Sequence, residues 1–221
     1  MSLKRLVAVI ATLFLFAQPA LATVIIVADS VTTDVSPLPM FDPLNMDGLI
    51  NQMGLEPPPD YVSGVSSFAD ALTRTHSAVQ PTTGYKGTGT TGLFTFDLLN
   101  TFALTHLALW NGVGNNGIVG FNVLVSADPI FGAADLVGSF LAANNDPKGQ
   151  EFALQGGAVQ GRYVGLEVTS VFNGNNMSLG EVAFGGLGMR TVPEPASAAL
   201  LGLGLLGFGF RRRRGRQPQL N

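Results

Sequence analysis

The stretch Leu93-Phe94-Thr95-Phe96-Asp97-Leu98 alternates between apolar and polar side chains over most of its length. Successive side chains of a β-strand point to opposite faces of the sheet. The period of two therefore predicts a strand with Phe94, Phe96 and Leu98 on a buried face and Thr95 and Asp97 on the other.

Further short stretches with strand-like composition lie on both sides of this one. They predict strands over residues 105–110, 121–126, 151–154, 162–168 and 179–184. Polar clusters rich in Gly and Asn separate them, at 111–117, 144–149, 156–157 and 173–176. Many short strands joined by such turns predict an all-β fold, an antiparallel β-sandwich or jelly roll.

Residues 23–60 have a different composition, with prolines at 37, 39, 43 and 57–59. We expect one edge strand at the start of this stretch, followed by an extended Pro-rich loop that wraps the sandwich. The sandwich domain itself is predicted over residues 61–190.

The N-terminus has the three parts of a secretory signal peptide. Lys4 and Arg5 precede an apolar run over 6–17, and Ala20-Leu21-Ala22 supplies the small residues of a cleavage site. The apolar run is shorter than the roughly 20 residues that span a bilayer. We predict a signal peptide over 1–22 that is cleaved after Ala22; an uncleaved anchor is the alternative.

The C-terminus combines three unlike features in a fixed order. Val192-Pro193-Glu194-Pro195 precedes the uncharged residues 196–210, and the block Arg211-Arg212-Arg213-Arg214 follows directly. A helix over 196–210 would be about 22 Å long, short of a hydrocarbon core of roughly 30 Å. Snorkelling arginines would let this short transmembrane helix span, with the arginines in the cytoplasm and the preceding domain outside.

In this order the three features resemble the PEP-CTERM sorting signal, over residues 192–216. The resemblance implies processing by an exosortase, a membrane-embedded protease that cuts at or near the Pro-Glu-Pro motif, in bacteria that make exopolysaccharide. It implies export through the inner membrane, a transient anchor, and release to the cell surface or extracellular matrix. A permanent anchor is the alternative.

Composition narrows the possible partners of the exported part. Between residues 23 and 191 there are five basic and fourteen acidic residues, a net charge of −9. Nucleic acid binding needs a basic surface and is therefore not expected. Neutral sugars, or acidic polymers bridged by divalent cations, are the better candidates. The chain has no cysteine, which excludes disulfides and thiolate chemistry.

A second resemblance lies between residues 61 and 185. The segments that carry it are Phe68-Ala69-Asp70, Thr75-His76, the glycine-rich 84–92, the Phe-Thr-Phe-Asp-Leu strand, Leu107-Ala108-Leu109-Trp110-Asn111, residues 121–126, Gly161-Arg162-Tyr163-Val164, and residues 178–184. In their order and spacing they resemble a discoidin-like (F5/8 type C) domain. This implies a galactose-binding-like jelly roll that binds glycans, lipids or proteins through loops at one end.

The same resemblance implies a structural calcium ion, held by an early Asp and by a Glu in the last strand. Asp70 and Glu181 fall at those positions, and loops rich in Asp, Asn and Gly offer the oxygen ligands that calcium prefers. In a regular strand Leu179, Glu181 and Ala183 would share one face. The alternative is that Glu181 is merely solvated.

Several other residues have side chains of the types that bind ligands or catalyse reactions. The Gly87-x-Gly89-x-x-Gly92 pattern is followed by a strand and not by a helix, so it does not predict a dinucleotide site. His76 and His106 lack further metal-ligating residues close in sequence, and Trp110 ends an apolar strand and is expected in the core. The candidates for ligand binding are Tyr61, Tyr85 and Arg162.

These observations favour a secreted, non-catalytic protein that binds carbohydrate, with exopolysaccharide as the partner. One alternative is a structural or adhesive matrix protein without a small-ligand site. A hydrolase acting on exopolysaccharide is the third hypothesis, because paired carboxylates could lie together in space.

Overall fold

The computed structural model describes residues 22–42, 46–57, 61–64, 66–144 and 147–187. The predicted sorting signal and its transmembrane helix lie outside these residues, as does all of the predicted signal peptide except Ala22. Within the described part of the chain, no helix has both the length and the apolar character that crossing a bilayer requires.

The described residues form strands, one short helix and two 3₁₀ turns. The helix α1 is Phe68–Leu72, and the turns are Asp47–Leu49 and Ala133–Asp135. The strands are β1 Thr23–Ile26, β2 Ser30–Thr33, β3 Leu55–Glu56, β4 Thr75–His76, β5 Tyr85–Thr88, β6 Gly92–Asn111, β7 Gly120–Ser126, β8 Leu136–Leu141, β9 Gln150–Ala153, β10 Val159–Val168 and β11 Asn176–Leu187.

The strand β6 takes part in both layers of the fold. Its first part pairs with β2 and β10, and β10 continues to β7 and β8; we call these strands the front sheet. Its second part pairs with β11 and β9, and β11 also pairs with β1 and β5; this is the back sheet. All of these pairs are antiparallel, which confirms the predicted fold class.

Aromatic rings join the two sheets across the core. Phe96 of the front sheet meets Phe184 of the back sheet with ring centroids 5.5 Å apart, and Phe121 meets Phe152 at 5.0 Å. Phe94, Phe96 and Leu98 are buried, as the alternating pattern predicts. The residues between them, Thr95 and Asp97, therefore lie on the outer face of the front sheet.

A second, smaller apolar cluster covers the outer face of the back sheet. We call it the outer cluster; it consists of Ile25, Leu55, Phe68, Ala71, Ala108, Trp110 and Ala183. The helix α1 contributes Phe68 and Ala71, so its apolar side packs on the sheet.

A register shift in β11 changes the face that its side chains occupy. The shift falls between Leu179 and Glu181, and it places Leu179 in the main core together with Val182. Glu181 pairs with Trp110 on the opposite side. The expectation that Leu179 shares a face with Glu181 is therefore wrong, because a bulge interrupts the regular alternation.

Several elements differ from the prediction. The strands expected at 93–98 and 105–110 are one strand, β6, which contains Leu99 at φ 67°. Residues 23–60 contain β2 and β3 in addition to β1. Strand β8 was not predicted. Its apolar residues Leu136 and Leu141 are exposed at the two ends of the strand, so the order of apolar and polar residues does not indicate a buried face.

The aromatic contact between the sheets should contribute strongly to the stability of the domain. Phe184→Ala should lower the free energy of unfolding by about 3–5 kcal/mol, because it removes a fully buried ring and leaves a cavity. Leu141→Ala, at a side chain that is 76% exposed, should change it by less than about 0.5 kcal/mol. Urea unfolding of both variants measures this; equal effects would contradict the assigned core.

Candidate functional site

Three polar side chains, which we call the Tyr61 cluster, meet at the surface beside α1. Both the Tyr61 hydroxyl and Arg74 Nη2 donate hydrogen bonds to Asp70 Oδ2, each at 3.0 Å. Arg74 Nε donates to the Tyr61 oxygen at 3.3 Å, and its guanidinium lies 5.8 Å from the centroid of the Tyr61 ring. The result is a fixed arrangement of one ring, one carboxylate and one guanidinium.

The local sequence explains how these side chains are placed. Ser67 caps α1, since its hydroxyl accepts a hydrogen bond from the Asp70 backbone N–H. Asp70 and Arg74 are four residues apart, which brings them together across one turn. The Arg74 carbonyl accepts a hydrogen bond from Trp110 Nε1 at 3.0 Å, so the buried tryptophan fixes the backbone of the cluster.

The charges of the cluster compensate each other. Hydrogen bonding from Arg74, and secondarily from Tyr61, lowers the pKa of the Asp70 carboxyl below its usual value. Partial burial raises the pKa of the Tyr61 hydroxyl. At neutral pH the cluster thus presents a carboxylate, a guanidinium and a neutral phenol, groups that can bind sugar hydroxyls while the ring accepts an apolar sugar face.

Arg162 takes part in a second set of the same residue types. Its Nε and Nη2 donate to the two carboxylate oxygens of Asp97 at 2.8 and 2.7 Å. Its guanidinium lies 4.9 Å from the centroid of the Tyr163 ring. The hydrogen bond from Arg162 lowers the pKa of the Asp97 carboxyl. Arg162 is therefore brought together with a tyrosine, but not with Tyr61.

Tyr85 does not fit the predicted role in ligand binding. Its side chain is 1% exposed, its ring packs against Phe94, and its hydroxyl donates to the Val35 carbonyl at 2.7 Å. Pairing of β5 with β11 places this residue in the core, so its ring cannot stack on a sugar. The expectation for Trp110 is confirmed, because its side chain is fully buried.

The two carboxylates suggested for calcium lie in different surroundings. Asp70 is half exposed and pairs with Arg74. Glu181 is 1% exposed, and both of its oxygens accept from the Gln52 N–H at 3.2 Å. Burial raises the pKa of Glu181 well above its ordinary value of 4.5. Among the described residues, no three His, Cys, Asp or Glu side chains form a group that could hold a metal.

Glu181 by itself fits a cation better than Asp70 does. A buried carboxylate must be neutralised by a proton, a cation or hydrogen bonds, whereas Arg74 already neutralises Asp70. Calcium at these residues stays a prediction.

Two other features of the site were not predicted from the sequence. The role of Arg74 was missed, although its spacing of four residues from Asp70 was a usable signal once a helix was assigned. His76 is buried, its Nδ1 lies 2.6 Å from the Ser77 carbonyl oxygen, and its Nε2 has no hydrogen-bond partner. Nothing in the sequence around His76 indicated this burial.

Comparison with known families identifies the C-terminus. Residues 191–214 match the PEP-CTERM protein-sorting motif. The match confirms the predicted sorting signal and indicates export with transient attachment to the membrane. A search of curated protein sequences finds no match to this chain.

Solved structures similar to this domain include carbohydrate-binding proteins. A family 32 carbohydrate-binding module of AlyQ, in complex with 4,5-unsaturated mannuronic acid, is 16% identical over 72% of this chain and 96% of that one, with a TM-score of 0.45. The family 32 module of Clostridium perfringens NanJ, in complex with galactose, is 10% identical over 74% and 99%, at 0.46. A fucolectin from striped bass (Morone saxatilis) serum is 15% identical over 71% and 46%, at 0.48.

Glu181 should make the stability of the domain depend on pH. Above about pH 4.5 the unfolded chain loses the Glu181 proton while the folded domain retains it, so the free energy of unfolding falls as pH rises. Glu181→Gln cannot lose a proton. We expect this variant to gain stability relative to the original protein as the pH rises above about 4.5.

Denaturant unfolding in the presence of a chelator measures this difference. A stability difference that is constant over the pH range would show that Glu181 is ionised in the folded domain.

Proposed function

We propose that this chain is an exported surface or matrix protein that an exosortase processes, and that its β-sandwich binds carbohydrate without catalysing a reaction. The export part is supported by the sorting motif at 191–214. The observation that carries the binding part is the Tyr61 cluster, in which a ring, a carboxylate and a guanidinium are held at the surface.

The geometry of the Tyr61 cluster favours a sugar with free hydroxyl groups. Asp70 offers acceptor oxygens to hydroxyls, and Arg74 offers donors. Pairing of these two leaves no excess positive charge in the cluster. Because the exported stretch carries a net charge of −9, repulsion should disfavour acidic polymers. We therefore propose neutral exopolysaccharide as the partner.

The two alternatives predict different measurements. A structural or adhesive matrix protein would show no saturable binding to defined sugars. A hydrolase would release new reducing ends from the polymer. In the Tyr61 cluster Asp70 is held by Arg74, and hydrogen bonding keeps the pKa of this carboxyl low. A general acid needs a raised pKa, so this carboxyl suits binding better than acid catalysis.

Calcium remains part of the proposal, with Glu181 as the carboxylate that would bind it. Binding to a folded domain raises its stability through mass action. Calcium should therefore raise the melting temperature of the chelator-treated protein and leave that of Glu181→Gln unchanged. An identical melting temperature with and without calcium would rule out this part of the proposal.

Replacement of Pro193, Glu194 and Pro195 by alanine should retain the protein in the membrane fraction. The motif is the expected cleavage region, and the extended backbone that two prolines favour would be lost. Immunoblots of cell fractions measure the distribution, with Pro39→Ala as a proline control outside the motif. Normal release of the triple variant would contradict processing at this motif.

Tyr61→Ala should weaken binding to a neutral polysaccharide about tenfold, because it removes the ring on which the sugar is proposed to stack. Val62→Ala, at the exposed neighbouring residue, is the matched control and should bind normally. Glycan arrays and titration calorimetry with the purified protein measure both. Equal affinities of the two variants would exclude the Tyr61 cluster as the binding site.

A further inference from the structure

The outer face of the front sheet carries polar and aromatic side chains from four strands. Asp97 of β6 lies between Ser30 of β2 and Tyr163 of β10, and Tyr163 pairs in turn with Ser126 of β7. Directly opposed residues on adjacent strands point to the same face. The row therefore crosses four strands on the side away from the core.

A second aromatic ring lies on this face beside Tyr163. A Cβ atom added to Gly165 would lie 3.0 Å from Cε2 of Phe131. Phe131 comes from the connection between β7 and β8, so its half-exposed ring folds back over the sheet. The glycine leaves room for this ring. Positions 163 and 165 are about 6.6 Å apart along the strand.

Polar side chains extend the same face along the next row. Ser139 Oγ donates to Asn122 Oδ1 at 2.7 Å, and Asn122 Nδ2 donates to Glu167 Oε2 at 2.7 Å. This chain of hydrogen bonds fixes the orientation of the three side chains. Each still has acceptor or donor capacity for a further partner.

The charge on this face identifies the class of partner that it fits. Arg162 and Asp97 compensate each other's charge through two hydrogen bonds, which leaves the carboxylate of Glu167 as the uncompensated charge among the residues named here. This carboxylate would repel an anionic polymer. Two aromatic rings beside oriented hydrogen-bonding groups fit the pyranose rings and hydroxyls of an uncharged sugar chain.

We infer that the outer face of the front sheet is a second carbohydrate site, which binds an extended neutral polysaccharide chain. Pyranose rings stack on Phe131 and Tyr163, and their hydroxyls bond to Asn122 and Glu167. The class of ligand in this inference rests on the proposed function. The location does not, because this site lies on a different part of the surface from the Tyr61 cluster. With the Tyr61 cluster on the opposite sheet, one protein then binds two chains.

Affinity electrophoresis of the secreted protein tests this site. The gels contain laminarin, hydroxyethyl cellulose or galactomannan as neutral polymers, and alginate as the acidic comparison. Phe131→Ala and Tyr163→Leu should each weaken retardation by a neutral polymer about tenfold. The second substitution preserves apolar volume, and melting curves confirm that both variants fold. Ile130→Ala, at the exposed neighbour of Phe131, is the matched control.

The outcomes separate this inference from the proposed function. Loss of retardation in Phe131→Ala and Tyr163→Leu, with Ile130→Ala unchanged, supports the second site. Unchanged retardation in both ring variants, with loss in Tyr61→Ala, overturns the second site and leaves the proposed function intact. Retardation of the original protein by alginate alone, or by none of the polymers, overturns both.

Discussion

The pairing of β6 with strands of both sheets is the constraint on which the rest of the structure depends. This twenty-residue strand pairs with β2 and β10 in its first part and with β11 and β9 in its second. Because one strand belongs to both layers, the alternation of its side chains fixes which residues face the core in each. Phe96 and Phe184 meet inside, while Asp97 and Trp110 face outward on opposite sides. Trp110 of this strand donates a hydrogen bond to the backbone of the Tyr61 cluster, and Asp97 lies on the outer face of the front sheet beside Tyr163.

The outer faces of the two sheets each carry an arginine that pairs with an aspartate beside a tyrosine. On the back sheet, Arg74 pairs with Asp70 beside Tyr61, and the buried Trp110 fixes its backbone. On the front sheet, Arg162 pairs with Asp97 beside Tyr163. Each arginine is neutralised by an aspartate, so neither site offers free positive charge to an acidic polymer. This agrees with the net negative charge of residues 23–191 and supports the proposal of a neutral polymer as the partner.

The regular strands of the fold could be predicted from the sequence, whereas its bulge and its pairings between distant residues could not. The alternation around Phe94 and Phe96 predicted a strand and its buried face, because successive side chains of a strand point to opposite faces of the sheet. Together with the other short strands, it predicted the all-β class. The joining of two predicted strands into β6, the bulge before Glu181 and the burial of Tyr85 depend on pairing between distant residues, which no local pattern contains. Tyr61, Asp70 and Arg162 are partly exposed, and their roles in binding a ligand or calcium stay predictions. Their partners Arg74, Asp97 and Tyr163 became evident only from the fold. The sorting signal was predictable in full because its motif is contiguous.

The central claim is that the exported domain binds neutral carbohydrate on defined outer surfaces. Chemical-shift mapping by nuclear magnetic resonance, with the secreted protein titrated by neutral oligosaccharides from laminarin and galactomannan, tests it most directly. The account predicts saturable shifts that are confined to the surroundings of Tyr61 and Arg74 and to the outer face around Phe131 and Tyr163. The absence of saturable shifts with every neutral sugar, or shifts that map to other surfaces, would contradict it.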